Sequence, residues 1–161
     1  MKACRAIALV FATGAVVAAC GDPGLPTPGL ALANDRDGDV AVVVQTCEEF
    51  TALELGPGDD FWGRQTVVLQ TDEPERHAVV DLVDAEGVSF RTGSATALAA
   101  LRAPFFVRVL APEGGVVAIA AFDRMPDPGR ALAVQPGEDP SLVDRPADEL
   151  AGVLADVCSR R

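Results

Sequence analysis

The chain is short of lysine, tyrosine, histidine and tryptophan. Among 161 residues there is one His, one Trp and no Tyr, and apart from Lys2 every basic residue is Arg. Against 13 basic residues stand 24 Asp and Glu, for a formal net charge of −11. Each shortage excludes something. Phosphate backbones are bound by clustered positive charge, so this balance excludes nucleic acid as a partner. It argues equally against lying flat on an anionic lipid surface. One histidine, His77, leaves the usual nucleophile–base pairs poorly supplied, and Ser89, Ser94, Ser141 and Ser159 all lie outside a G-x-S-x-G elbow. His77 and Asp81 share one face of a strand but stand about 13 Å apart along it, too far for a dyad. The sequence has no C-x-x-C pair, Cys/His cluster, phosphate loop or dinucleotide fingerprint. No catalytic residue, metal or cofactor is therefore assigned, and the chain is not expected to be an enzyme.

The longest apolar run near the start is too short for a bilayer. A span needs roughly 20 apolar residues, and the run over residues 6–17 is soon ended by Gly21, Asp22 and Pro23. Lys2 and Arg5 precede the run, and Val17-Ala18-Ala19-Cys20 follows it. Positive start, apolar centre and small residues at the end are the grammar of a secretory signal. "VAAC" resembles the lipobox of bacterial lipoproteins, and the likeness covers residues 1–20. The resemblance implies cleavage before Cys20, a diacylglycerol thioether on Cys20 and acylation of the new amino group. Two or three acyl chains anchor stably, where one gives only marginal binding. Membrane lipid is then the first partner. The address is the outer face of the cytoplasmic membrane or the cell envelope. Ordinary secretion, with cleavage after Ala19, is the alternative. The expected organisation is a signal peptide over 1–19, a flexible Gly/Pro-rich tether over 20–38 and a single domain over 39–161.

The four cysteines are Cys4, Cys20, Cys47 and Cys158. If Cys4 leaves with the signal and Cys20 is lipidated, two remain in an oxidising compartment, and a Cys47–Cys158 disulfide is expected. Closing a loop of about 110 residues is worth roughly 4–5 kcal/mol in the chain-entropy account. Two separate buried thiols are the alternative.

Downstream, "DVAVVVQTC" (39–47) reads as a buried strand and "FTALELG" (50–56) as a half-exposed one. "RQTVVLQT" (64–71) is a strand, "DEPER" (72–76) a turn, and "HAVVDLVD" (77–84) and "VSFRTG" (88–93) flank a hairpin signal. "SATALAALR" is a short helix capped by Ser94. "FFVRVLAPEGGVVAIAAF" (105–122) is a hairpin, 131–134 a last strand and 135–146 a polar loop. Leu150, Val153, Leu154 and Val157 stand at helical spacing. Short strands with turn signals every 8–12 or so residues predict a mainly β fold. The expectation is an antiparallel Ig-like β-sandwich of six to seven strands with a C-terminal α-helix. Strand count and spacing resemble immunoglobulin-like sandwiches. The Cys…Trp…Cys pattern is missing, so the likeness carries no function.

Two loops offer binding chemistry. "NDRDGD" (34–39) resembles the start of an acidic calcium loop, but placing Gly38 at the loop glycine puts Ala33 and Val44 at ligand positions. It reads as a solvated Asp-Gly turn, with an irregular ion site at Asp35, Asp37 and Asp39 as the alternative. In "GDDFWG" (58–63), Asp59, Asp60, Phe61 and Trp62 either plug one end of the sandwich or present an aromatic binding tip. The expected role is a non-enzymatic interaction or structural module acting on an envelope protein or ligand that the sequence does not name. The alternative is a small-ligand or ion-binding module built on these loops.

Overall fold

A computed structural model describes residues 29–58, 67–84, 89–135, 141–155 and 157. Eight strands lie among them: β1 (Gly29–Asn34), β2 (Val40–Pro57), β3 (Val67–Asp81), β4 (Ser89–Thr92), β5 (Phe105–Leu110), β6 (Val116–Phe122), β7 (Arg130–Gln135) and β8 (Ser141–Pro146). Two short helices complete the described elements, α1 (Ala95–Ala99) and α2 (Leu150–Ala155), the latter entered through a 3-10 turn at Ala147–Glu149.

β2 organises the molecule. Its β-branched run VAVVV passes into FTALEL with no Gly or Pro between them, so one strand of 18 residues forms. One edge pairs with β3 along both its ends, with register shifts between Gln45 and Phe50 and between Phe50 and Ala52. The other edge is shared: β1 takes residues 40–45 and β5 takes residues 52–57. Irregular register bends a strand, and the bend falls where β2 changes partners. The sheet therefore has two halves. The first runs through β1 to β7 and the edge strand β8, and the second through β5 to β6, with β4 on the far side of β3. Every pairing among the described residues is antiparallel.

The halves close on each other over the main core. Leu30, Leu32, Val42 and Val44 from the first half join Leu53, Leu55, Phe105, Val107 and Phe122 from the second in one buried cluster. β1 and β6 touch although they share no ladder. Phe105 and Phe122 face each other across β5 and β6 with ring centroids 5.6 Å apart, a tilted pair that adds to simple burial. A smaller cluster covers the outer face of the first half, where Ala31, Val43, Ala131 and Ala133 lie under Leu150 and Leu154 of α2. α1 starts as its sequence predicts: Ser94 Oγ accepts a hydrogen bond from the Ala97 N–H at 3.2 Å. The β5–β6 turn also matches, with Gly114 at φ 83° and the Ala111 N–H donating to the Gly115 carbonyl at 2.8 Å.

The mainly β, antiparallel fold with a C-terminal helix is the one predicted, but several elements differ from expectation. Residues 29–34, placed in the tether, are β1 in the middle of the sheet, so strand structure is already present ahead of Asp39. The stretches 39–47 and 50–56 run together in one strand from Val40, and the second stretch is buried on both faces rather than half-exposed. "DEPER" is strand within β3. Pro74 is tolerated because the register is irregular there and β4 pairs only with residues 68–70 of that edge. β4 consequently partners the start of β3, not residues 77–84. The polar loop at 135–146 contains β8, a strand whose polar residues suit an edge.

Candidate functional site

Among the described residues, the site with the most varied chemistry lies at the bend of β2 and β3. Register sets Gly29, Gln45 and His77 side by side across β1, β2 and β3. Past that line polar side chains replace the regular ladder. Gln45 Nε2 donates to the Arg76 carbonyl at 3.3 Å, Thr46 Oγ1 donates to the Glu48 carbonyl at 2.7 Å, and Arg76 pairs with Glu49 at 3.5 Å on the surface. A groove of about 480 Å³ opens here, with Leu53, Leu69 and Val80 as its floor and Asp72, Glu75 and His77 on its rim. The rim offers an imidazole and two carboxylates to a polar or extended ligand. Among the described residues no group of three or more His, Cys, Asp or Glu side chains is placed to hold a metal ion.

Cys47 sits at the same end. Its Sγ lies 3.8 Å from the Val157 carbonyl oxygen, in the residue before Cys158. Cys158 itself lies outside the described residues, as do Cys20 and the loop residues Asp59, Asp60, Phe61 and Trp62.

At the opposite end of β1 the 34–39 segment is a closed turn. Asp35 Oδ1 accepts hydrogen bonds from the backbone N–H groups of Asp37, Gly38 and Asp39 at 2.8, 2.9 and 3.0 Å. Gly38 supplies the positive φ, 96°, that the turn requires. The carboxylate read as a possible ion ligand thus serves the backbone. Asp39 has its carboxyl raised above the ordinary range, by the charge of Asp35 foremost, then by lost hydration, then by Asp81, Asp37 and Asp84. Five acids are therefore gathered around one hairpin end. Beside them Asn34 Nδ2 donates to the Pro126 carbonyl at 2.8 Å and ties the turn to the chain before β7.

A buried polar feature also escapes the sequence reading. Glu54 and Arg108 stand directly opposite each other on β2 and β5 and form a buried ion pair. The signal was present: each is the lone charge in an apolar stretch, "TALELG" (51–56) of β2 and "FFVRVL" (105–110) of β5, and the signs are opposite.

No known protein family, curated protein or solved structure matches the chain. Among the described residues no helix is long and apolar enough to cross a membrane.

Proposed function

We propose that this is a lipid-anchored extracytoplasmic protein, held by an acylated Cys20, whose β-sandwich is a non-enzymatic interaction module. The observation that carries the reading is the lipobox Val17-Ala18-Ala19-Cys20, in register behind the positive start and the apolar run. The position of β1 gives the reading a geometry. Residues 21–28 alone separate Cys20 from the sheet, and so short a linker reaches about 30 Å at most. The end of the domain carrying Gly29, Gln45 and His77 is then the end turned to the anchor. Replacing Cys20 by Ala tests this. The variant is expected in the soluble extracytoplasmic fraction, and a variant that stays in the membrane fraction overturns the anchor.

A Cys47–Cys158 disulfide belongs to the same reading. The approach of Cys47 Sγ to Val157 supports it, because the next residue is the partner. Joining β2 to the C-terminal segment would close a long loop and stabilise by roughly 4–5 kcal/mol. A non-reducing digest is expected to yield the two cysteine peptides linked, and two free thiols would remove the bridge.

A further inference from the structure

The sheet treats its edges unequally. β8 is blunted by Pro146 and by Asp144, which is held by Arg130 at 2.7 Å. Charge and proline are the usual protection of an edge strand against pairing with another chain. β3 differs. Its first part is covered by β4 at residues 68–70, and among the described residues no strand pairs with the outer edge of residues 77–81. That stretch, His-Ala-Val-Val-Asp, presents Val79 at 59 % exposure, and Val83 just beyond it is 60 % exposed. These are two of the three large apolar side chains exposed on the described surface, the third being Val116 on β6.

We propose that this edge binds a second copy of the chain, β3 against the partner's β3, antiparallel about a two-fold axis through Val79. The sequence of the edge is self-complementary in that register. His77 stands opposite the partner's Asp81, Ala78 opposite the partner's Val80, and Val79 opposite the partner's Val79. Directly opposed residues of an antiparallel pair share a face and interact. Val80, buried in the main core, and Ala78, packed against it, lie on the inner face, so His77, Val79 and Asp81 fall on the outer one. The imidazole N–H meets a carboxylate there. Asp81 Oδ1 already accepts from the backbone N–H groups of Val83 and Asp84, at 2.7 and 2.9 Å, which leaves Oδ2 for the imidazole of the other copy. The two-fold operation makes this contact twice and closes the assembly at two copies. A foreign peptide would gain the backbone ladder but not the paired ends. The net negative charge opposes association and the ladder is short, so the dimer is a weak one. The proposal does not depend on the lipid anchor.

Cross-linking of the full-length chain in detergent tests it. In Val79→Cys the two sulfurs meet across the axis, within the spacing a disulfide needs. Mild oxidation is expected to give a covalent dimer above the background of the unsubstituted chain, while Val116→Cys gives none. A cross-link through Val116 instead, or through neither, overturns the proposal. Sedimentation adds a second measurement. His77→Asp is expected to weaken the dimer about tenfold by opposing two carboxylates, and adding Asp81→His to restore it, because the pair is then exchanged within the same register. Equal weakening by the single and double variants, with thermal midpoints unchanged, overturns the register. A strictly monomeric unsubstituted chain at about 100 μM overturns the dimer.

Discussion

The two halves of the sheet bury their outer faces by opposite means. The first half uses small side chains. Ala31, Val43, Ala131 and Ala133 leave room for α2 to lie close, and Leu150 and Leu154 fill the space. The second half buries charge. Glu54 and Arg108 are each 8 % exposed, with Phe106 and Val68 buried in the strands beside them. One face gains stability from close packing. The other gains little, because the desolvation of two charges offsets most of their attraction. What the ion pair supplies is register: a slip of one residue along β2 would turn Glu54 into the hydrocarbon core between the halves. The bend of β2 makes that useful, since the strand must change partners within a few residues and still arrive in phase.

The largest expected effect breaks the second half. Arg108→Ala leaves Glu54 charged and buried without its partner, and should cost about 3–5 kcal/mol of unfolding free energy in denaturant titration. The double variant Glu54→Leu with Arg108→Leu should stay within about 1 kcal/mol of the unsubstituted chain or exceed it. A single variant that costs less than about 1 kcal/mol would show the pair to be solvated, and the contrast between the halves would fail. The first half is tested by the opposite change, adding volume. A Cβ on Gly29 would lie 2.5 Å from Leu154 Cδ2 and 2.9 Å from Val157 Cγ2. Gly29→Ala should therefore cost about 1–3 kcal/mol, as overpacking does. Leu154→Ala alone should cost about 2–5 kcal/mol by truncation. Combined, the two should cost clearly less than their sum, because the second removes the atom that the first strikes. Simple additivity would mean that α2 is not seated on β1.

The same contrast explains what could be read in the sequence. Where a face is apolar and β-branched, pattern and structure agree: the 105–122 hairpin and the start of β2 lie where their residues predict. β1 was hidden because "GLALAN" follows three prolines and is too short to outweigh them. What makes it a strand is tertiary: a slot between β2 and β7, under a helix more than 100 residues away. Glu54 misled in the other direction. A charge in an alternating stretch predicts an exposed face, and only Arg108, 54 residues along the chain, makes burial tolerable. The 72–76 turn is strand for a related reason: Pro and charge are permitted where, among the described residues, no strand pairs with the outer edge. The groove rim of Asp72, Glu75 and His77 was not legible at all, because it is created by the bend that joins the two halves.

The smallest effect concerns the acidic end of the first half, where nothing buried is at stake. Asp39 is exposed, and its carboxyl is raised chiefly by Asp35 beside it. The folded chain thus holds that proton more tightly than the unfolded chain does. The resulting stabilisation is complete below the unfolded carboxyl value, about 3.9, and is lost as pH rises through the higher folded one. At neutral pH the ionised group is a net repulsion, so Asp39→Asn should raise the thermal midpoint slightly. Its backbone bonds to Asp35 do not involve the side chain and should survive the change. At about pH 3 the native Asp39 is itself protonated, and the two midpoints should converge. Added salt should shrink the neutral-pH gain as well, because an exposed charge cluster is screened where a buried pair is not. Arg108→Ala, measured in the same two salts, should keep its full cost. A gain for Asp39→Asn that persists at pH 3 would assign it to the turn rather than to charge, and would place the stability of that hairpin end in its backbone.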